Sequence, residues 1–126
     1  MKYEEIYARS IDQPEAFWAA QADEIEWYSK PETILSKDEN GYPLWYKDGE
    51  LNICYLALDK HIQDGYGDQT AFIYDSPVTQ TVKKYTYSEV KTEVAKLAGG
   101  MQSIELKKGD TAIIYMPMIP QTAFAM

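Results

Sequence analysis

An α/β architecture, opened by a helical extension and left incomplete at its far end, is predicted by three features of the apolar pattern. Val90, Val94, Leu97, Met101 and Ile104 recur at a 4–3–4–3 spacing, which draws one face of a helix. Two β-rich stretches, Thr70–Asp75 and Lys84–Tyr87, precede it and read as paired strands. After it, Thr111–Met116 is a nearly continuous apolar run, the pattern of a strand buried on both faces of a parallel sheet.

The elements follow in order. Asp12 is placed to cap a first helix, with Glu15 three residues on and Pro14 in the first turn. Phe17, Trp18, Ala20 and Ile25 supply its apolar stripe. Such a short helix is marginal alone and must dock on something. Lys30–Glu50 reads as an irregular connector with Pro31, Gly41, Pro43 and Gly49, interrupted by an extended Leu44-Trp45-Tyr46. Those large side chains predict a connector pinned by packing rather than a ligand platform.

Asn52 then caps a helix whose Leu51, Cys54, Leu58 and Ile62 share a face and which Gly65 ends. Ser76–Thr79 makes the strand connection too long for a two-residue turn. Ser88 is placed to cap the long helix, with Glu89 and Glu93 near its positive end. Gly99-Gly100 inside that helix costs roughly 1 kcal/mol each against alanine, so close approach to a neighbouring element is expected there. Lys108-Gly109-Asp110 signals a turn, and Pro120 opens a last helix. A strand followed by a helix should continue into a second parallel strand, so the chain is expected to be a piece of a larger α/β protein.

Composition narrows the function classes. The chain has 126 residues, 45% of them hydrophobic and 25% charged, with a net charge of −8. That charge repels phosphates and anionic lipid, and the only adjacent basic pairs are Lys83-Lys84 and Lys107-Lys108. Neither nucleic acid nor a membrane is expected as a partner. No apolar run approaches the ~20 residues of a membrane span. Acids stand at Glu4 and Glu5 where a secretory signal would carry none, and the expected compartment is the cytoplasm.

A search for chemistry finds none. One cysteine, Cys54, and one histidine, His61, exclude a disulfide and a Cys/His metal site. Seven residues apart on one helix, they read as a buried thiol and a hydrogen-bonded histidine, not a catalytic pair. Gly65-Tyr66-Gly67-Asp68-Gln69-Thr70 lacks the third glycine of a dinucleotide fingerprint and precedes a strand instead of following one. Gly99-Gly100 lies too far along its helix to serve a phosphate. There is no glycine–lysine–serine/threonine phosphate loop and no serine nucleophile elbow. Pairs such as Asp23/Glu24 and Asp64/Asp68 read as solvated surface.

One stretch is more specific. Asp110-Thr111-Ala112-Ile113-Ile114-Tyr115-Met116-Pro117-Met118-Ile119-Pro120 is similar to a segment of the short-chain acyl-CoA synthetases, the AMP-forming acetate/propionate–CoA ligases of the adenylate-forming superfamily. Leu51-Asn52-Ile53-Cys54-Tyr55, Leu58-Asp59-Lys60-His61 and Tyr85-Thr86-Tyr87 agree in order, although arginine is more usual at position 60. Tyr74–Thr79 resembles the propionate-type branch. Tyr7–Ile11 with Pro14–Trp18 resembles the family's N-terminal extension. One departure is physical: the family pattern places glycine at position 105, where this chain has Glu105. A left-handed helix stop costs a non-glycine residue roughly 1 kcal/mol, so an earlier end near Gly99-Gly100 or a different cap is expected.

The resemblance implies a division into an N-terminal extension, residues 1–50, and the opening of the AMP-binding adenylation domain, residues 51–126. It also implies the parent's reaction: a carboxylate attacks the α-phosphate of ATP, and CoA then displaces AMP from the acyl adenylate. ATP, Mg2+ and CoA are implied for the parent and none of them for this segment, because the residues that hold them are expected beyond Met126. No catalytic, cofactor-binding or metal residue is assigned in residues 1–126. The expected partner is the remainder of the ligase. The alternative is a free-standing interaction module that forms a homodimer through its apolar end.

Overall fold

The computed structural model describes residues 2–126 and divides into two compact units, Met1–Ile53 and Cys54–Met126. Helices and small antiparallel sheets make it a mixed α and β structure.

The first unit opens with two helices, α1 (Tyr3–Asp12) and α2 (Pro14–Ala22). The Lys2 backbone N–H donates to Glu5 Oε2 at 3.1 Å. The chain breaks at Gln13, with φ −136° and ψ 58°. A proline ring pushes its predecessor out of the helical region, so Gln13 is the cap of α2. Asp12, expected there, is instead the last residue of α1. Pro14 does open α2.

The connector contains a hairpin that its composition hid. Strand β1 (Leu35–Lys37) pairs antiparallel with β2 (Pro43–Trp45), with Ser36 opposite Leu44. Asp38 builds the turn: its Oδ1 accepts from the N–H groups of Asn40 at 2.9 Å and Tyr42 at 2.8 Å. Gly41, at φ 85°, takes the left-handed position. The pinning expected for this segment is present. Trp27 Nε1 donates to the Ala22 carbonyl at 2.8 Å, and the Tyr46 ring packs tilted against Trp27 at 5.5 Å. A side chain at Gly49 would meet the Trp27 ring at 2.8 Å, so only glycine fits there.

The second unit starts with helical chain, but two stretches, Tyr55–Asp59 and Ile62–Tyr66, are π-wound. Wider turns rotate successive side chains off an α-helical face. Cys54 is accordingly exposed, not buried as its spacing suggested. Gly65, at φ 90°, adopts the left-handed conformation expected of a helix stop, although the helical winding carries on to Tyr66. Strand β3 (Thr70–Ser76) then pairs antiparallel with β4 (Thr81–Thr86), closing the long connection with Ser76 opposite Thr81.

Helix α3 (Tyr87–Ser103) is capped by Thr86 rather than Ser88. Glu89 N–H donates to Thr86 Oγ1 at 3.2 Å, and Thr86 N–H donates to Glu89 Oε2 at 2.9 Å, a reciprocal capping box. Strand pairing ends at Thr86, so that residue is the first with extended geometry facing free helical N–H groups. The helix passes through Gly99-Gly100 with nothing within 4 Å of either Cβ position, so the close neighbour expected there is missing. It stops where the family pattern places glycine. Glu105 takes φ 63°, its N–H donates to the Gln102 carbonyl at 3.0 Å, and Leu106 N–H reaches the Met101 carbonyl at 3.2 Å. This is a Schellman stop made without glycine.

Lys107–Asp110 is a turn, closed by the Lys107 N–H to Asp110 Oδ2 at 2.7 Å. Beyond it, Thr111–Met116 forms no strand among the described residues, and Ile113 and Tyr115 are 88% and 98% exposed. A strand needs partner backbone groups for its own, and none of the described strands pairs with this run. Helix α4 (Pro120–Ala125) then folds back, with Pro120 at its first turn as expected. Phe124 joins Tyr85 and Val90 in the buried core, with Leu58, Phe72 and Val94 packed around it.

Candidate functional site

The surface features with room for a ligand or partner are grooves, and each lies within one unit. In the second unit, the face of α3 and the extended run enclose a cleft of ≈ 800 Å³ lined by Leu97, Met101, Ile113, Ile114, Met116 and Phe124 among others. The 4–3–4–3 stripe of α3 supplies one wall, so the cleft is the uncovered part of the face the sequence marked as core. A smaller recess of ≈ 330 Å³ lies between β4 and α3, with Lys83, Glu89 and Glu93 on its walls. Its charges are already engaged: Lys83 Nζ sits 4.4 Å from the Tyr85 ring centre, Glu89 closes the cap of α3, and Glu93 accepts from Lys96 at 2.7 Å.

In the first unit, Trp18 and Gln21 on α2, Ile25 beyond it, and Trp45 and Tyr46 on and after β2 line a nearly wholly apolar groove of ≈ 420 Å³. The Tyr46 hydroxyl donates to the Trp18 carbonyl at 3.1 Å and fixes the two walls together. Trp18 and Trp45 meet edge to face at 6.0 Å. The tryptophans were legible as packing residues; the groove between them was not, because the β1–β2 hairpin that presents Trp45 was hidden.

The residues examined for chemistry are scattered. Cys54 is exposed, whereas His61 is half-buried and rests against the Tyr87 ring at 5.0 Å. The Gly65–Gly67 turn offers no phosphate cradle. A Cβ at Gly67 would lie 2.8 Å from Ser88 Oγ, so the chain's own side chain fills that space. No three His, Cys, Asp or Glu side chains converge among the described residues. No helix is long and apolar enough to cross a membrane among them. The carboxylate of Asp48 has a structural task. It accepts from the N–H groups of Thr33 and Glu32, each at 3.0 Å, and the Thr33 bond above all holds its carboxyl below the usual 3.8.

Comparison with known proteins gives this scaffold its relatives. The model of the acetyl-coenzyme A synthetase N-terminus matches residues 3–57, and that of the AMP-binding enzymes matches residues 59–126. An uncharacterized protein of Pseudomonas aeruginosa is 52% identical over 126 residues, 100% of this chain and 20% of its own length. The human protein named acyl-CoA synthetase short-chain family member 3, mitochondrial, is 46% identical over 125 residues, 99% of this chain and 18% of its own. The acetyl-coenzyme A synthetase of Alkalilimnicola ehrlichii is 40% identical over 126 residues, 98% of this chain and 19% of its own. The chain thus spans about a fifth of the length of the curated relatives it matches. With more than half of its residues matched by that model, the chain belongs to the AMP-binding enzyme family.

Proposed function

We propose that this chain is the N-terminal scaffold of an AMP-forming acetate/propionate–CoA ligase, which converts a short carboxylate, ATP and CoA to acyl-CoA, AMP and pyrophosphate. The observation that carries the reading is the identity along the whole chain to proteins named as acyl- and acetyl-CoA synthetases. In this reading residues 1–50 are the extension and residues 51–126 open the adenylation domain. The parent in this reading takes ATP, Mg2+ and CoA. On the same reading the remainder of the ligase covers Thr111–Met116, an uncharged and exposed run. We place the protein in the cytoplasm, a reading supported by its single cysteine.

The 126-residue chain alone is expected to show no ATP–pyrophosphate exchange with acetate or propionate. Clear turnover in that assay refutes the scaffold reading. The exposure of Ile113, Tyr115 and Met118 favours one second reading, a non-enzymatic module that pairs with a second copy through this run. A light-scattering mass that stays at the monomer value as concentration rises removes it.

A further inference from the structure

The charge of this chain is unevenly placed. Residues 1–53 hold five Lys/Arg and twelve Asp/Glu, a net −7, whereas the whole chain carries −8. The first unit is therefore strongly acidic and the second nearly neutral. On the acidic unit lies the aromatic groove of Trp18, Ile25, Trp45 and Tyr46. Trp18 and Trp45 stay 40% and 43% exposed there although they are among the largest apolar side chains in the chain.

We propose that this groove docks a basic, apolar-faced segment of a partner polypeptide, a role that goes beyond the scaffold reading. Three observations select that occupant. The groove is nearly without polar lining, so its floor needs apolar side chains to displace water. Exposed tryptophan faces also attract cations such as arginine and lysine. Glu15 lies one turn before Trp18 on α2 and Glu24 precedes Ile25, against one cation, Lys47, after Tyr46, so acids outnumber bases among the sequence neighbours of the groove. An acidic or neutral partner would meet like charge or none; a basic one is drawn in by the field of the whole unit. The groove is also built before binding, because the Tyr46–Trp18 hydrogen bond and the hairpin set its walls. Little ordering is then required when a partner arrives.

The test titrates the 126-residue chain with a helical leucine–lysine peptide while following the indole N–H signals of Trp18 and Trp45. Saturable shifts at those two signals, weakened by added salt, are expected. Trp45→Ala should weaken binding about tenfold or more. Because Trp45 also supports Tyr46, a second variant, Glu15→Gln with Glu24→Gln, removes only charge, at two exposed positions. It should lower affinity about twofold to fivefold with the melting temperature unchanged. Equal binding by a leucine–glutamate peptide, shifts confined to other residues, or full affinity in both variants overturns the proposal. None of these results bears on whether the parent is a ligase, which the exchange assay reads separately.

Discussion

Glu105 holds a backbone conformation that costs a side-chain-bearing residue roughly 1 kcal/mol relative to glycine. Its backbone N–H serves the helix stop, so removing the Cβ should leave the hydrogen bonds intact. Glu105→Gly is expected to raise stability by about 1 kcal/mol in denaturant titration, with an unchanged slope. The sequence pointed to this position, but the expected escape was an earlier end near Gly99-Gly100 or a different cap; the helix instead runs to Ser103 and stops with Glu105 in the left-handed conformation. Asp48 gives a second residue-scale expectation. Its folded pKa lies below the ordinary 3.8, so its contribution is complete above that value. The contribution is lost as pH falls through the lowered folded value. Melting temperature against pH should therefore fall more steeply on the acid side in the native chain than in Asp48→Asn, which cannot ionise there.

At the scale of the element, the long amphipathic helix α3 was readable because five apolar residues repeat on one face. Its start was misjudged by two residues. Ser88 has the right chemistry for a cap, but Thr86 sits where the strand ends and has Glu89 three residues on. Thr86→Ala is expected to cost about 1 kcal/mol, and Ser88→Ala markedly less, both read by thermal melting. The same competition decided α2, where the proline after Gln13 overrode the capping chemistry of Asp12. The β1–β2 hairpin went unseen because each strand is three residues long and is set in a stretch rich in turn residues. Its signal was local: an Asp38–Gly41 turn beside the extended Leu44-Trp45-Tyr46. The π-wound turns left no mark that the apolar spacing could reveal.

For the whole molecule, the apolar run Thr111–Met116 is the main difference between pattern and structure. Its composition is that of a buried strand, yet Ile113 and Tyr115 remain almost fully exposed. Side chains this exposed contribute little to the unit's own stability. Ile113→Asp with Tyr115→Asp should leave the unfolding free energy within about 0.5 kcal/mol of native. The pair should also lower any growth of mass with concentration in light scattering, because charge blocks edge-to-edge strand pairing. The core beneath is small: Phe124, Tyr85 and Val90, with partly covered neighbours. A parallel strand was expected at Thr111–Met116, whereas the described strands form antiparallel hairpins only, one of them the expected pairing of β3 with β4.

Local chemistry was written in the order of residues. The β-rich composition of Thr70–Asp75, the helical stripe of α3, the Lys108–Asp110 turn and the proline opening α4 follow from short-range sterics and periodicity, and these are carried by neighbouring residues. The family resemblance in Asp110–Pro120 has the same origin, since the order of side chains alone expresses it. Tertiary structure decided which of two competing caps was used, which tryptophans formed a groove, and whether an apolar run found partners. Those outcomes depend on residues distant in sequence meeting in space, and periodicity does not report what lies opposite a face.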